Sequence, residues 1–157
     1  MRFKFKNLDR LITQIADLSN VMVVLNESKK ALDKGSDVVA DETRKQLLNL
    51  PVDDRRWVDG ERFGLRTIQK QSILSGFGIS PIQQSSRDKI NRKTGVNRDV
   101  NKLDEPNVVV ARRLENGTSY MKKNPVFTRA SRKSRKQCLK VMEDSLNESI
   151  NKLWNKH

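Results

Sequence analysis

Val108-Val109-Val110-Ala111-Arg112-Arg113-Leu114-Glu115-Asn116-Gly117-Thr118-Ser119 runs on to Asn124-Pro125-Val126-Phe127-Thr128-Arg129-Ala130, and its reading decides the fold. The β-branched run Val108–Ala111 carries the signal of a buried strand. Glu115–Thr118 is a turn, because Asn-Gly accepts a positive φ at low cost. Pro125 fixes the geometry of a helix start. A helix is therefore expected over 126–155, with Leu139, Met142, Leu146, Ile150 and Leu153 as its apolar stripe.

Upstream, Leu8, Leu11, Ile12 and Ile15 have the spacing of a short amphipathic helix over 7–18, and Ser19-Asn20 is a break. Val21–Leu50 reads as a long helix with Leu25, Leu32, Val39 and Leu47 on one side, closed by Pro51. Gly35 lies in its interior, where it costs about 1 kcal/mol relative to Ala. Either a neighbouring backbone packs closely there or the position is merely tolerated. Residues 65–74 fit a strand or a short helix. Taking them with 105–121 as the strands gives an α+β domain over 1–157: an N-terminal helix pair, a small mostly antiparallel sheet, and a long C-terminal helix packed on the sheet. Residues 75–104, with Gly76, Gly78, Pro81 and scattered cations, read as an extended loop or flexible hairpin that orders on a partner or in a ring.

The charge balance restricts the partners. Lys and Arg total 32 against 19 Asp and Glu, a net charge of +13. Such a field draws polyanions. Apolar residues make up 35% of the chain, which is lean for a protein that buries its whole core alone and suits one that completes its burial in an assembly. Lys122 and Lys123 precede a helix on which Arg129, Arg132, Lys133, Lys136 and Lys140 fall at i, i+3, i+4, i+7 and i+11, one face, with no acid from Lys122 to Lys140. Like charges so aligned repel, and cations sit badly at a helix N-terminus. A counter-charge is expected: phosphates or the acidic side of a neighbouring subunit, the plain alternative being a solvated face. Few aromatics interleave with these cations, so nucleic-acid contact would be to the backbone and non-specific.

Catalytic chemistry is poorly supplied. His157 is the only histidine and Cys138 the only cysteine, which excludes a structural zinc site within one chain. Asp53, Asp54, Asp59 and Glu61 are interleaved with arginines and read as a solvated ion-pair loop rather than a metal centre. No phosphate-binding glycine loop or nucleophile motif occurs, and no cofactor is expected. The basic start, Met1-Arg2-Phe3-Lys4-Phe5-Lys6, is followed by no apolar core, so the expectation is a chain made in the cytoplasm without leader or membrane span.

The segment 111–130 resembles the tail-completion or head–tail joining (neck) family of long-tailed phages and phage-like particles. In that family a strand ends in a Glu-x-Gly-Thr turn, followed by a short loop and a Pro-Phe lead into a C-terminal helix. Glu115, Gly117 and Thr118 match the turn, Pro125 the proline, and Ala130 the small residue of the first helical turn; Phe127 is displaced by Val126. Ala31-Leu32-x-x-Gly35 is similar to the family's long helix, Gly64–Ile68 matches loosely, and 75–104 has no counterpart. The resemblance implies a virion protein at the head–tail junction. It implies a homohexameric ring joining the head connector or stopper to the tail tube or tail terminator, with double-stranded DNA in its lumen. The competing expectations are a small basic nucleic-acid-binding protein acting outside the particle, and a nuclease built on the Asp53–Glu61 cluster.

Overall fold

The computed structural model describes residues 21–54, 64–86 and 89–155; the predicted helix over 7–18 and most of the acidic loop lie outside them. Helix α1 spans Val21–Leu48 and helix α2 Thr67–Gly76. A ribbon follows: β1 (Phe77–Ile79), β2 (Gln83–Ser86), β3 (Lys89–Asn91) and β4 (Thr94–Val96). Helix α3 (Asn107–Asn116) and helix α4 (Val126–Asn155) complete the order. The architecture is α+β.

The strands are not where the sequence reading puts them. Residues 65–74 lie mostly in α2, and most of 105–121 is α3 with the turn after it. The Val108–Val110 run costs a few tenths of a kcal/mol per residue in helical form. Burial outweighs that cost. Asn107, Val110, Ala111 and Leu114, spaced i, i+3, i+4 and i+7, are all buried, Val110 completely. A distant carboxylate and a local amide set the start of α2. Asp54 accepts the Thr67 N–H at 2.8 Å, and Gln69 Oε1 accepts the Arg66 N–H at 3.0 Å, closing the first turn of α2. Gly76 ends α2 where Asn97 crosses: a Cβ there would lie 2.3 Å from Asn97 Oδ1.

The sheet lies inside the segment read as a loop or hairpin. β1 pairs antiparallel with β4, with Phe77 opposite Val96 and Gly78 opposite Gly95; β2 pairs with β3 further out, across a register shift between Gln84 and Ser86. At the junction of the two pairs, Arg92 donates to the Ser80 carbonyl at 2.8 Å and pairs with Asp33 of α1. The ribbon is thereby tied to the long helix.

The core gathers Ala40, Leu47 and Leu50 from α1 and the residues just after it, Ile73 of α2, Phe77 of β1, Val110 and Leu114 of α3, Met121, and Val126 of α4. Helix α4 packs chiefly along α1 rather than on the sheet, which corrects the expected arrangement. The pair is antiparallel: Ser149 donates to Glu27 at 2.6 Å, and Lys133 meets Glu42 at 2.9 Å. The seam is built of small residues, Ala31, Gly35 and Ser36 on one side and Ala130, Ser134 and Ser145 on the other, all buried. Short side chains let the helix axes approach, and of the predicted bulky stripe Met142 enters the seam against Gly35 while Leu139 and Ile150 fall outside it. Leu139 and Ile150 remain 56% and 46% exposed, while Met142, Leu146 and Leu153 are half-buried. Gly35 meets a side chain, not a backbone. A Cβ there would sit 2.6 Å from Met142 Cγ and 3.1 Å from Cys138 Sγ.

Candidate functional site

The residues of the Glu-x-Gly-Thr turn and the proline converge on one joint between α3 and α4. Helix α3 stops because Gly117 adopts φ +78, a conformation that suits glycine. A Cβ on Gly117 would also come within 3.0 Å of the Lys123 backbone nitrogen. Thr118 then folds the loop back: its N–H donates to the Met121 carbonyl at 2.8 Å, and its hydroxyl accepts the Met121 N–H at 3.0 Å. The Asn124 N–H returns to the Leu114 carbonyl at 2.8 Å. Pro125 immediately precedes α4, and its carbonyl accepts the Arg129 N–H at 3.0 Å. Phe127 packs against Phe77, with ring centroids 6.3 Å apart.

Glu115 closes the joint. Its carboxylate accepts the Phe127 N–H at 3.1 Å and the Thr128 N–H at 3.0 Å, and it also holds the Thr128 hydroxyl. In sequence Glu115 sits next to Arg112 and Arg113, and from there it could pair across a subunit interface. In the fold its carboxylate instead caps α4 within the chain, and Arg113 pairs with Glu105 at 2.5 Å. A carboxylate at this end offsets the positive end of the helix dipole, where the basic block begins. It also occupies first-turn N–H groups that a phosphate would otherwise use. Any polyanion on α4 is therefore held by side chains.

Those side chains form a continuous surface. Arg129, Arg132, Lys133, Lys136 and Lys140 are all exposed, as are Lys122 and Lys123 before them. Two are held inside the chain. Arg129 donates to Asn124 Oδ1 at 2.5 Å, and Lys133 pairs with Glu42 at 2.9 Å. The Glu42 carboxyl is kept below its ordinary value, first by the Gln46 amide and then by Lys133. Part of the counter-charge expected from outside is thus supplied by Glu115 and Glu42, neither of which sequence spacing identifies. Among the described residues, Arg132, Lys136 and Lys140 have no acidic partner. They sit about 6 Å apart along the axis, at 1.5 Å rise per residue. Asp54, weighed as a possible metal ligand, is held as a carboxylate by the hydroxyl and N–H of Thr67 at the start of α2. Among the described residues no cluster of three His, Cys, Asp or Glu comes together. No described helix is long and apolar enough to cross a membrane.

No family model, curated protein or solved structure matches the chain.

Proposed function

We propose that this chain is a structural ring subunit of a phage neck, joining the head connector to the tail tube around a DNA-filled lumen, with no catalytic role. One observation carries the reading. The residues of the neck-like motif, Glu115, Gly117, Thr118, Pro125 and Phe127, make up the joint that sets the basic face of α4 relative to the body. Among the described residues Arg132, Lys136 and Lys140 on that face have no acidic partner, which suits a surface that meets phosphates or an acidic neighbour in an assembly. Head-to-tail contacts between identical copies would close the ring.

The test is assembly. Particles made without the protein should carry heads and tails that fail to join, and the purified protein should localise to the junction. Normally joined particles in its absence would sink the proposal.

The unpartnered cations also favour a second reading, a backbone-directed nucleic-acid binder acting alone. Titration of the dispersed chain with duplex DNA at several salt concentrations separates the two. Micromolar or tighter binding near physiological salt, with a steep salt slope that R132E/K136E/K140E flattens, would favour the independent binder. The neck reading expects weak binding by the dispersed chain and no cleavage of the DNA.

A further inference from the structure

At the foot of its basic face, α4 meets the end of α1 across a cleft of about 380 Å³. Asn49 and Leu50 line one wall, and Asn124, Val126, Arg129 and Lys133 the other. Leu50 and Val126 are buried and give the cleft an apolar floor, whereas Asn49, Arg129 and Lys133 are exposed at its mouth. None of the lining residues is acidic. Both cations are oriented by the fold with donors to spare. Arg129 gives one N–H to Asn124 Oδ1 and keeps the rest of its fork. Lys133 meets Glu42 at 2.9 Å and keeps its other protons, and the Glu42 charge is shared with the Gln46 amide, which donates to it at 3.0 Å. The C-terminal end of α1 borders the cleft, and its dipole would repel an anion. Lys70 offsets that end by donating to the Leu48 and Leu50 carbonyls, both at 2.7 Å. Glu115 lines the groove beside Phe127 and not this cleft.

We propose that the cleft seats one phosphate of a DNA strand, which then runs along α4 over Lys136 and Lys140. Two held cations on one wall and a neutral amide on the other fit a compact oxyanion, and a guanidinium fork matches phosphate geometry. Lys136 and Lys140 continue the row from Arg129 and Lys133 at i+7 and i+11, beyond the cleft. There the strand meets a single helix, and only in the cleft does α1 supply a second wall. This inference rests on reading the basic face of α4 as one that meets phosphates. Its test reads residue-level binding, so it can fail while heads and tails still require the protein to join.

The test is amide NMR of the full chain at low salt, titrated with a short DNA duplex and separately with inorganic phosphate. Both should shift the Asn49, Asn124, Arg129 and Lys133 signals, the duplex at about tenfold lower concentration, and only the duplex should extend the shifts to Lys136 and Lys140. R129Q and R135Q remove the same charge, but only Arg129 lines the cleft. R129Q should weaken duplex binding about tenfold, and R135Q about twofold at most. N49L, which changes no charge and lies off the joint between α3 and α4, should weaken it about threefold. Equal losses in R129Q and R135Q would overturn the proposal, as would unchanged binding in N49L. So would cleft shifts with phosphate that the duplex fails to reproduce. Cleft shifts that appear on raising the protein concentration alone would overturn it too, in favour of an acidic surface of a second copy.

Discussion

The two halves of α4 have similar lengths and opposite circumstances. The proximal half, from Val126 to Lys140, is held by Glu115 at its start, by the core through Val126, and by α1 through Ala130 and Ser134. Its solvent face carries Arg129, Arg132, Lys133, Arg135, Lys136 and Lys140 and no acid. The distal half has α1 as its main neighbour, through Met142, Ser145 and Ser149, and its outer face mixes Glu143, Asp144 and Glu148 with exposed Ile150 and Trp154. The difference teaches where charge can be concentrated. Repulsion among aligned cations is a few tenths of a kcal/mol per pair, and a half-helix fixed at its start, its seam and its base absorbs it. The distal half carries balanced charge.

Substitutions in the two halves should break or sharpen that contrast. The largest effect is expected from Leu47, buried under the proximal half. Leu47→Ala should cost about 2–5 kcal/mol in urea unfolding, whereas exposed Ile150→Ala in the distal half should stay within about 0.5 kcal/mol. Equal losses would mean that the distal stripe is covered after all. Next is the seam. Ala130 is completely buried, so Ala130→Leu should overpack it and cost about 1–3 kcal/mol, measured the same way.

Glu115→Ala removes the carboxylate that receives the first turn of α4 and should cost about 1 kcal/mol. Glu148→Ala, which loses only its surface pairs with Lys152 and Lys34, should leave the unfolding midpoint unchanged. The smallest effect is on pH dependence. The Glu42 carboxyl is depressed in the folded chain, so its contribution is fully present above its unfolded value and is lost as pH falls through the folded one. Glu42→Gln should lower neutral stability slightly, leave stability in acid as it was, and so flatten the acid limb of the profile. A steeper acid limb in the variant would contradict the Lys133–Glu42 contact.

The long helices were legible because their boundaries are written locally: Pro51 after α1, and Pro125 immediately before α4. Gly117 was legible as a left-handed turn for the same reason. Helix α3 was not, although its i, i+3, i+4, i+7 burial at Asn107, Val110, Ala111 and Leu114 lay in the sequence. The valine run masked it, and only contact with α2 and α4 decides between the two states. The basic face could be counted from spacing alone. The roles of Glu115 and Glu42 could not, because each acts on a helix other than its own, and pairing at such separations follows from the fold rather than from any local pattern.

The carboxylate bridge from Glu115 to the start of α4 also gives that helix a direction of failure. A helix with two free ends melts from both. Here one end is clamped by a residue of another element, whereas Asn155 at the other is exposed. Thermal opening should therefore travel one way, like a zipper with one closed end, from Asn155 back toward Ala130. The basic face would be the last part of α4 to lose its register.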